Sequence, residues 1–275
     1  MEESIDSIFD HNFTEGDEVI LVDDCSTDAT PALINKLKNK YPAIISLKHN
    51  INKGSAAASR NSAIDISRNE LLFCLDSDNI LIPETVAALK QFLLQNKLDA
   101  AAFGEIKYFK KNKNEISEVW YMNPVLSFID TLNKPANTPC GSGNYLFTKT
   151  IWEKAGRYNE SLGGALDSEI FGLCLLAIGA KFHTLRGTGY YHRYGYESTF
   201  MKDIGKLNDS LTIMAGIIKH FKLIDAKCLD YMLGSGRTNW RHNTLKRPIK
   251  AAASNQQHIL KIKLKRRILG LIERL

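Results

Sequence analysis

Long hydrophobic runs are missing from this 275-residue chain. A helix needs about 20 consecutive apolar residues to cross a bilayer, and no stretch approaches that length. The opening segment, MEESIDSIFDH, lacks the basic start and apolar stretch of a secretory leader, so it predicts a protein without one. Cysteine is scarce: Cys25, Cys74, Cys140, Cys174 and Cys228 are its five occurrences. The odd number, the wide spacing and the lack of any Cys-x-x-Cys pair argue against a disulfide framework, and predict reduced thiols in a cytosolic protein. Internal repeats and low-complexity tracts are also missing. What remains is ordinary for a globular protein, with 44% hydrophobic and 24% charged residues. The length suits one large domain with a real core, or one domain plus a tail.

The net charge of +6 hides an asymmetry. From Lys206 to Leu275 there are 15 Lys and Arg against 4 Asp and Glu, which leaves 21 against 26 in the first 205 residues. An acidic body suits cation binding, and a basic tail suits something anionic. We therefore divide the chain into a body, 1–205, and a basic helical region, 206–275.

The body alternates strand and helix patterns. Residues 2–9 read as a short helix. Glu18–Val22 is a continuous apolar run, the pattern of a strand buried on both faces of a parallel sheet. A helix follows from Asp28 or Thr30, with Pro31 in its first turn. Ile44–Leu47 reads as a strand, Gly54–Arg68 as a helix, Leu71–Leu75 as a buried strand, Pro83–Leu94 as a helix and Ala100–Phe109 as a strand. Further on come a strand at Tyr145–Thr148, a helix from Lys149 to just before Gly156, and a buried helix at Leu166–Ile178. Thr188–Thr199, dense in Gly, Tyr and His, reads as a loop. This order predicts an α/β fold with a mainly parallel, Rossmann-like sheet flanked by helices. Such sheets bind ligands beyond the carboxyl ends of their strands. Two acidic clusters fall there, Asp23-Asp24 and Asp76-Ser-Asp78.

A D-x-D just past a strand offers carboxylate oxygens to Mg²⁺ or Mn²⁺, hard cations that often bridge substrate phosphates. Taken alone, the same residues also describe a solvated turn with Asp78 capping a helix. Their company narrows the choice. Val19-Ile-Leu-Val-Asp-Asp-Cys-Ser-Thr-Asp-Ala-Thr30 resembles the first nucleotide-binding motif of glycosyltransferase family 2. Asn52-Lys-Gly54 with Ala58-Ser-Arg-Asn61 is similar to the family's next signature, and the D-x-D follows at the family's spacing. Trp152–Glu160 resembles the segment leading to the acceptor site, and Leu166-Asp167 stands where the family usually has Glu-Asp.

The resemblance covers about residues 2–200 and implies a GT-A-type fold with inverting chemistry. It implies that Asp23, Asp24, Ser26, Lys53, Arg60 and Asp76 contact the nucleotide-sugar donor, UDP- or GDP-linked. In that scheme Asp23 or Asp24 meets the base or ribose, and Arg60 the diphosphate. Asp78, with Asp76 nearby, holds Mn²⁺ or Mg²⁺ and His192 is a further ligand or a diphosphate contact. Asp167 is the base that takes the acceptor's proton. Each residue has a plainer reading: Asp24 as a turn cap, Arg60 paired with Asp65, Asp167 as a helix N-cap beside a rival base, Glu169, and His192 packed among Tyr190, Tyr191 and Tyr194. The Cys140–Asn144 loop is either an acceptor approach or a tight turn. Trp120, Tyr121 and Trp152 are either sugar platforms or core.

Two departures from the family stand out. Its members begin with an apolar strand ahead of the first helix, whereas this chain opens in that helix, which implies a missing central strand and an incomplete base pocket. Asn79 also stands where relatives carry another Asp. In the tail, Leu260, Leu264, Ile268, Leu271 and Leu275 share one helical face with Lys261, Lys265 and Arg266 away from it. That pattern suits an amphipathic helix on an anionic inner membrane face near a lipid-linked glycan acceptor, or equally a helix packed on the body. Nucleic acid is the weakest partner reading, because no reading module accompanies the basic residues. The rival functions are a nucleotidyltransferase and a nucleotide-sugar or glycan-binding protein without turnover.

Overall fold

The computed structural model describes residues 1–133, 137–162, 166–195 and 209–233. Helix α1 (Glu2–His11) carries Glu2 and Glu3 in its first turn, where acidic side chains favour the helix dipole. Just past its end, Asn12 is buried and its amide accepts from the Val86 N–H and donates to the Ile82 carbonyl. Strand β1 (Val19–Asp23) runs parallel to β2 (Ile44–Lys48), from Val19 opposite Ile44 to Asp23 opposite Lys48. Helix α2 (Thr30–Lys40) joins them, with Pro31 in its first turn. Ile5, Val19, Leu37 and Ile44 form the core of this small unit.

Helix α3 (Ala56–Ile66) leads into the second sheet. Its strands are β3 (Leu71–Phe73), β4 (Ile80–Leu81), β5 (Ala100–Phe109), β6 (Ile116–Tyr121), β7 (Tyr145–Thr148) and β8 (Phe182–Arg193). The order is β3-β7-β5-β8-β4, with β6 also paired to β5. Only β5 and β8 pair in parallel here; the β3–β7, β5–β7, β5–β6 and β4–β8 pairings are antiparallel. The sheet is therefore mixed rather than mainly parallel. The reason lies in β7 and β8, whose partners are set by contacts across the fold that strand–helix alternation does not report.

The strand at Ala100–Phe109 stands as read, and its first residues Ala100–Phe103 are completely covered. The loop reading of Thr188–Thr199 is corrected: Thr188–Arg193 continue β8 against Glu105–Phe109. Their glycines and aromatics pack beside a partner strand, and at Gly189 an added Cβ would lie 3.1 Å from the Glu105 carbonyl. Residues 196–199 lie outside the described residues.

Helix α4 (Thr85–Asn96) packs Leu89 and Leu93 under the sheet. Helices α5 (Phe128–Asn133), α6 (Lys149–Ala155) and α7 (Asp167–Ala177) gather on its other core. Gly156 ends α6 in the left-handed region, φ 83°, which a glycine enters without steric cost. Helix α7 is buried almost all round, as its apolar composition predicts. Helices α8 (Asp209–Ile217) and α9 (Ala226–Leu233) follow, and Ile213, Ile217 and Phe221 join the α7 core. The basic amphipathic pattern of 260–275 lies outside the described residues. No helix among the described residues is long and apolar enough to cross a membrane. All five cysteines are free thiols.

Candidate functional site

The acidic turn after β1 is held by its own backbone. Asp23 is buried (4% exposed), and its Oδ1 accepts the Ser26 N–H at 2.8 Å. Ser26 lowers the Asp23 pKa. Asp23 Oδ2 is buried without a hydrogen-bond partner, and the Lys48 ammonium stands 4.0 Å away. An unpartnered buried carboxylate oxygen is costly, so this atom is a ready acceptor for a ligand N–H or O–H. Ser26 thus shapes the turn. Lys53 contributes its backbone N–H to Asp24 Oδ1 at 3.0 Å, while the Gly54 N–H reaches Asp24 Oδ2 at 3.0 Å.

Asp24 also meets His49 Nδ1 at 2.6 Å, and His49 Nε2 lies 2.9 Å from Ser62 Oγ. Burial raises the Asp24 pKa, but His49 and the two N–H groups outweigh it and hold the carboxyl below its ordinary value. A depressed folded pKa means stabilisation that is complete above the unfolded value, about 3.9, and lost as pH falls through the folded value. Asp24→Asn is therefore expected to unfold at lower urea than the parent at pH 7 and to lose less stability than the parent below about pH 4. Urea titrations at pH 3 and pH 7 check this; an equal acid loss in both proteins would refute it.

The second acidic end is built around Arg60. Its Nη2 donates to Asp76 Oδ1 at 2.7 Å, while Nη1 donates to Asp167 Oδ2 and, at 2.9 Å, to Ser168 Oγ. The guanidinium lies 5.5 Å from the Tyr158 ring centroid. Burial works against its charge, but Asp167 and Asp76 outweigh that and hold its pKa well above the ordinary value. The Asp65 pairing belongs to Arg157 instead. Arg60 therefore fastens the D-x-D strand end to the first turn of α7, 107 residues away in the chain.

Asn144 clamps Asp76 from the other side: its Oδ1 accepts the Asp76 N–H and its Nδ2 donates to Asp76 Oδ2, each at 3.1 Å. Asp167 is the first residue of α7, and Leu166 occupies the cap position. Asp167 Oδ1 accepts the Ser168 N–H at 2.8 Å. Glu169, the rival base, is buried two residues further along in the same first turn.

Asp78 and His192 feel each other's charge and that of Asp76. Burial, then the negative charge of Asp76, push the Asp78 pKa up. Burial pulls the His192 pKa down, and Asp76 and Asp78 only partly restore it. His192 sits on β8, with Nδ1 3.2 Å from the Tyr190 hydroxyl and 3.4 Å from Asn79 Nδ2. Asn79 is fully buried and its Oδ1 accepts the Arg193 N–H at 3.0 Å. An amide at this position thus joins the D-x-D turn to β8. Among the described residues no three His, Cys, Asp or Glu side chains are gathered as a ready-made metal cluster. Arg60 pairs with Asp76 and not with Asp78, and His192 and Arg193 only partly offset the burial and the Asp76 charge at Asp78.

The Cys140–Asn144 loop is part of this site. Gly143 has φ 70° and lies against Ser168. A Cβ there would lie 2.9 Å from Ser168 Cβ and closer still to its hydroxyl. Gly143→Ala is expected to destabilise the protein by about 1–3 kcal/mol and to loosen Arg60 from Ser168. Thermal melts and a crystal structure of the variant check this; unchanged stability would show that the loop gives way freely. Trp152 is core: it is 2% exposed and its indole N–H donates to Asn61 Oδ1. Tyr121 is 65% exposed at the outer edge of β6.

Sequence reading missed His49, Ser62, Asn144 and Ser168. Each works through hydrogen bonds to residues far away in the chain, and a lone His, Ser or Asn carries no local signal for that.

Comparison with known proteins agrees with this fold. The family model described as Glycosyl transferase family 2 matches residues 1–152. The chain is 27% identical over 223 residues to an Escherichia coli protein described as UDP-Glc:alpha-D-GlcNAc-diphosphoundecaprenol beta-1,3-glucosyltransferase WfaP, covering 80% of this chain and 82% of that one. It is 29% identical over 130 residues to the poly(ribitol-phosphate) beta-glucosyltransferase of Bacillus spizizenii, covering 47% of this chain and only 20% of that protein's length. Among solved structures, TarS 1–349 of S. aureus in complex with UDP-GlcNAc superposes with a TM-score of 0.68 at 17% identity, covering 92% of this chain and 73% of that one. At that identity the likeness shows the fold alone, a GT-A-type α/β domain.

Proposed function

This chain belongs to glycosyl transferase family 2, and from that premise we propose that it transfers a sugar from a nucleoside-diphosphate sugar to a hydroxyl of a glycan, polysaccharide or glycolipid acceptor. The observation that carries the proposal is the Asp76–Arg60–Asp167 bridge, which sets a D-x-D strand end and a buried helix-start carboxylate around one place. The E. coli relative is described as acting with UDP-Glc on a lipid-linked sugar, and the TarS complex holds UDP-GlcNAc. Both favour a UDP-linked donor.

In the proposed reaction the acceptor oxygen bonds to the anomeric carbon as the bond from that carbon to the diphosphate oxygen breaks, inverting the centre. The acceptor proton passes to the Asp167 carboxylate. Asp167 keeps lone pairs free after accepting from Arg60 and Ser168, since an ionised carboxylate has about four acceptor sites. Asp23, with its unpartnered Oδ2, meets the donor's base or ribose, and Asp24 with the Lys53–Gly54 backbone shapes that end. A divalent cation, Mn²⁺ or Mg²⁺, would be held by Asp78, with His192 beside it, and would supply charge to offset that developing on the diphosphate. Arg60, already engaged by two carboxylates, positions Asp76 and Asp167 rather than meeting the diphosphate as its first role. A contact of the basic C-terminal run with an anionic membrane would bring a lipid-linked acceptor near.

Calorimetric titration of UDP and GDP with Mn²⁺, then with EDTA, tests the donor site. UDP binding that needs the metal and is lost in Asp78→Ala supports it. Equal binding in EDTA, or in Asp78→Ala, overturns the metal role, and no nucleotide binding at all overturns the donor site. A second reading, nucleotide-sugar binding without turnover, is favoured by a cleft of about 750 Å³ between β1 and β3, lined by Val19–Val22 and Leu71–Leu75, which leaves the two acidic strand ends in separate sheets. Binding of UDP-sugar without any released UDP in the presence of acceptor glycans would establish it.

A further inference from the structure

A wall of aromatic rings runs outward from the D-x-D turn. Tyr108 of β5 lies between Glu118 of β6 and His192 of β8. Trp120, two residues beyond Glu118, shares its face of the sheet. The rings meet around Tyr108, whose centroid is 4.7 Å from that of Trp120, 4.9 Å from His192 and 6.1 Å from Tyr194. The Tyr194 N–H donates to the Phe109 carbonyl at 3.0 Å, which carries the pairing past the end of β8 and fixes the outermost ring. Exposure grows along the wall. Tyr190 is covered, Tyr108, Trp120 and His192 are half-buried, and Tyr194 is 37% exposed.

The other face of β8 ends differently. There Arg193 lies 4.5 Å over the Phe109 ring and donates to Glu3 of α1, which closes it. A wet sheet face is ordinarily polar at its outward positions, but here those positions carry rings. Tyrosine and tryptophan suit surfaces that are apolar on one side and wet on the other. Sites for small ligands are lined in this way, by aromatics with a few polar groups among them.

The wall also opens from the proposed transfer site. His192 feels the charges of Asp76 and Asp78, and Asp76 leads through Arg60 to Asp167. Its fringe carries both signs, with Glu118 opposite Tyr108 and the Lys110 ammonium 5.3 Å from the Tyr194 ring centroid.

We propose that Tyr108, Trp120 and Tyr194 seat an uncharged pyranose ring of the acceptor. The proposal rests on the glycosyltransferase reading for the identity of that ring. A pyranose has two faces of C–H groups and a rim of hydroxyls. The C–H faces meet the negative faces of aromatic rings. The hydroxyls both donate and accept, so they suit a lysine and a glutamate side by side, and charges of both signs favour a ligand with none. A lipid chain or a partner helix on this wall would instead take Glu118 and Lys110 out of water. The ring belongs to the acceptor because the donor's nucleotide end is placed at Asp23 and Asp24, in the other sheet, while the wall stands on β5, β6 and β8, separated from β3 by β7.

The test uses the full 275-residue chain with fluorotryptophan in place of tryptophan, read by fluorine NMR. The Trp120 resonance is identified by its loss in Trp120→Phe. The probes are the methyl β-glycosides of glucose, N-acetylglucosamine and galactose, with methyl glucuronide and glucose 1-phosphate as charged counterparts. At least one neutral glycoside is expected to move the Trp120 resonance saturably and to leave that of Trp152, in the core, unmoved. Tyr194→Ala is expected to weaken this binding by about tenfold and Tyr194→Phe to retain it, with the affinity for UDP unchanged in both. No response to any neutral glycoside overturns the proposal, as does a response to the charged probes alone. A Trp120 resonance that a dissolved neutral spin label fails to broaden overturns it too, since the wall is then covered. Movement by UDP-glucose but by none of the glycosides assigns the wall to the donor sugar instead. UDP binding without a glycoside response sinks the wall and spares the donor site; a glycoside response without UDP binding does the reverse.

Discussion

Asp167→Asn is expected to lower the rate of sugar transfer by about 10²–10⁴-fold while leaving donor affinity within a few-fold of the parent. The amide keeps the size of the carboxylate and, through its one oxygen, keeps either the Arg60 or the Ser168 N–H contact, which fall on different oxygens of Asp167. It also loses the ability to take a proton. A loss confined to turnover is therefore the mark of a base, whereas a structural role would move donor affinity and stability together. Single-turnover kinetics with UDP-sugar beside calorimetry with UDP separate the two. Near-normal transfer by the variant would remove Asp167 from the mechanism and leave Glu169, in the same helix turn, as the carboxylate to examine.

Arg60→Ala is expected to be the more damaging change for the fold. Arg60 is the shared partner of Asp76 and Asp167, and its removal leaves the largely buried Asp167 without its counter-charge. Breaking a buried pair by deleting one member typically costs about 3–5 kcal/mol; the partial exposure of Asp76 places the expected loss toward the lower end. Arg60→Lys keeps the charge but not the planar fork that spans two carboxylates and Ser168 at once. It is expected to recover part of the stability and little of the transfer rate. Urea unfolding of both variants, with transfer measured on the folded fraction, checks this ordering. Full activity in the Lys variant would show that charge alone suffices and that the bridge has no positioning role.

Much of this molecule was legible before any coordinates. The apolar runs that end in Asp23-Asp24 and Asp76-Ser-Asp78 announced strands with acidic carboxyl ends, because a buried strand needs apolar residues at every position and the chain turns polar where it leaves the sheet. Helix α6 was readable between Thr148 and Gly156, because caps act through neighbours in the chain: the Thr148 hydroxyl accepts the Ile151 N–H and Gly156 takes the left-handed turn. The family resemblance rests on such local runs too. Strand β8 was misread because its Gly- and Tyr-rich stretch has no period of its own and extends only by pairing with β5. The same limit hid the antiparallel partners of β7. A chain segment announces that it will form a strand, but not beside which strand it will lie.

By itself, the sequence determined the acidic strand ends, the buried helix α7 and the presence of a carboxylate at its start. These follow from local preference and from the cost of burying polar groups. Only the tertiary structure decided that Arg60 turns toward Asp76 and Asp167 rather than toward Asp65, that Asn144 clamps Asp76, and that β1 and β3 stand apart with a cleft between them. Each of these brings together groups separated by many residues, and such pairings are set by the packing of whole elements. The charge pattern names the candidates for an ion pair; the fold selects which of them meet.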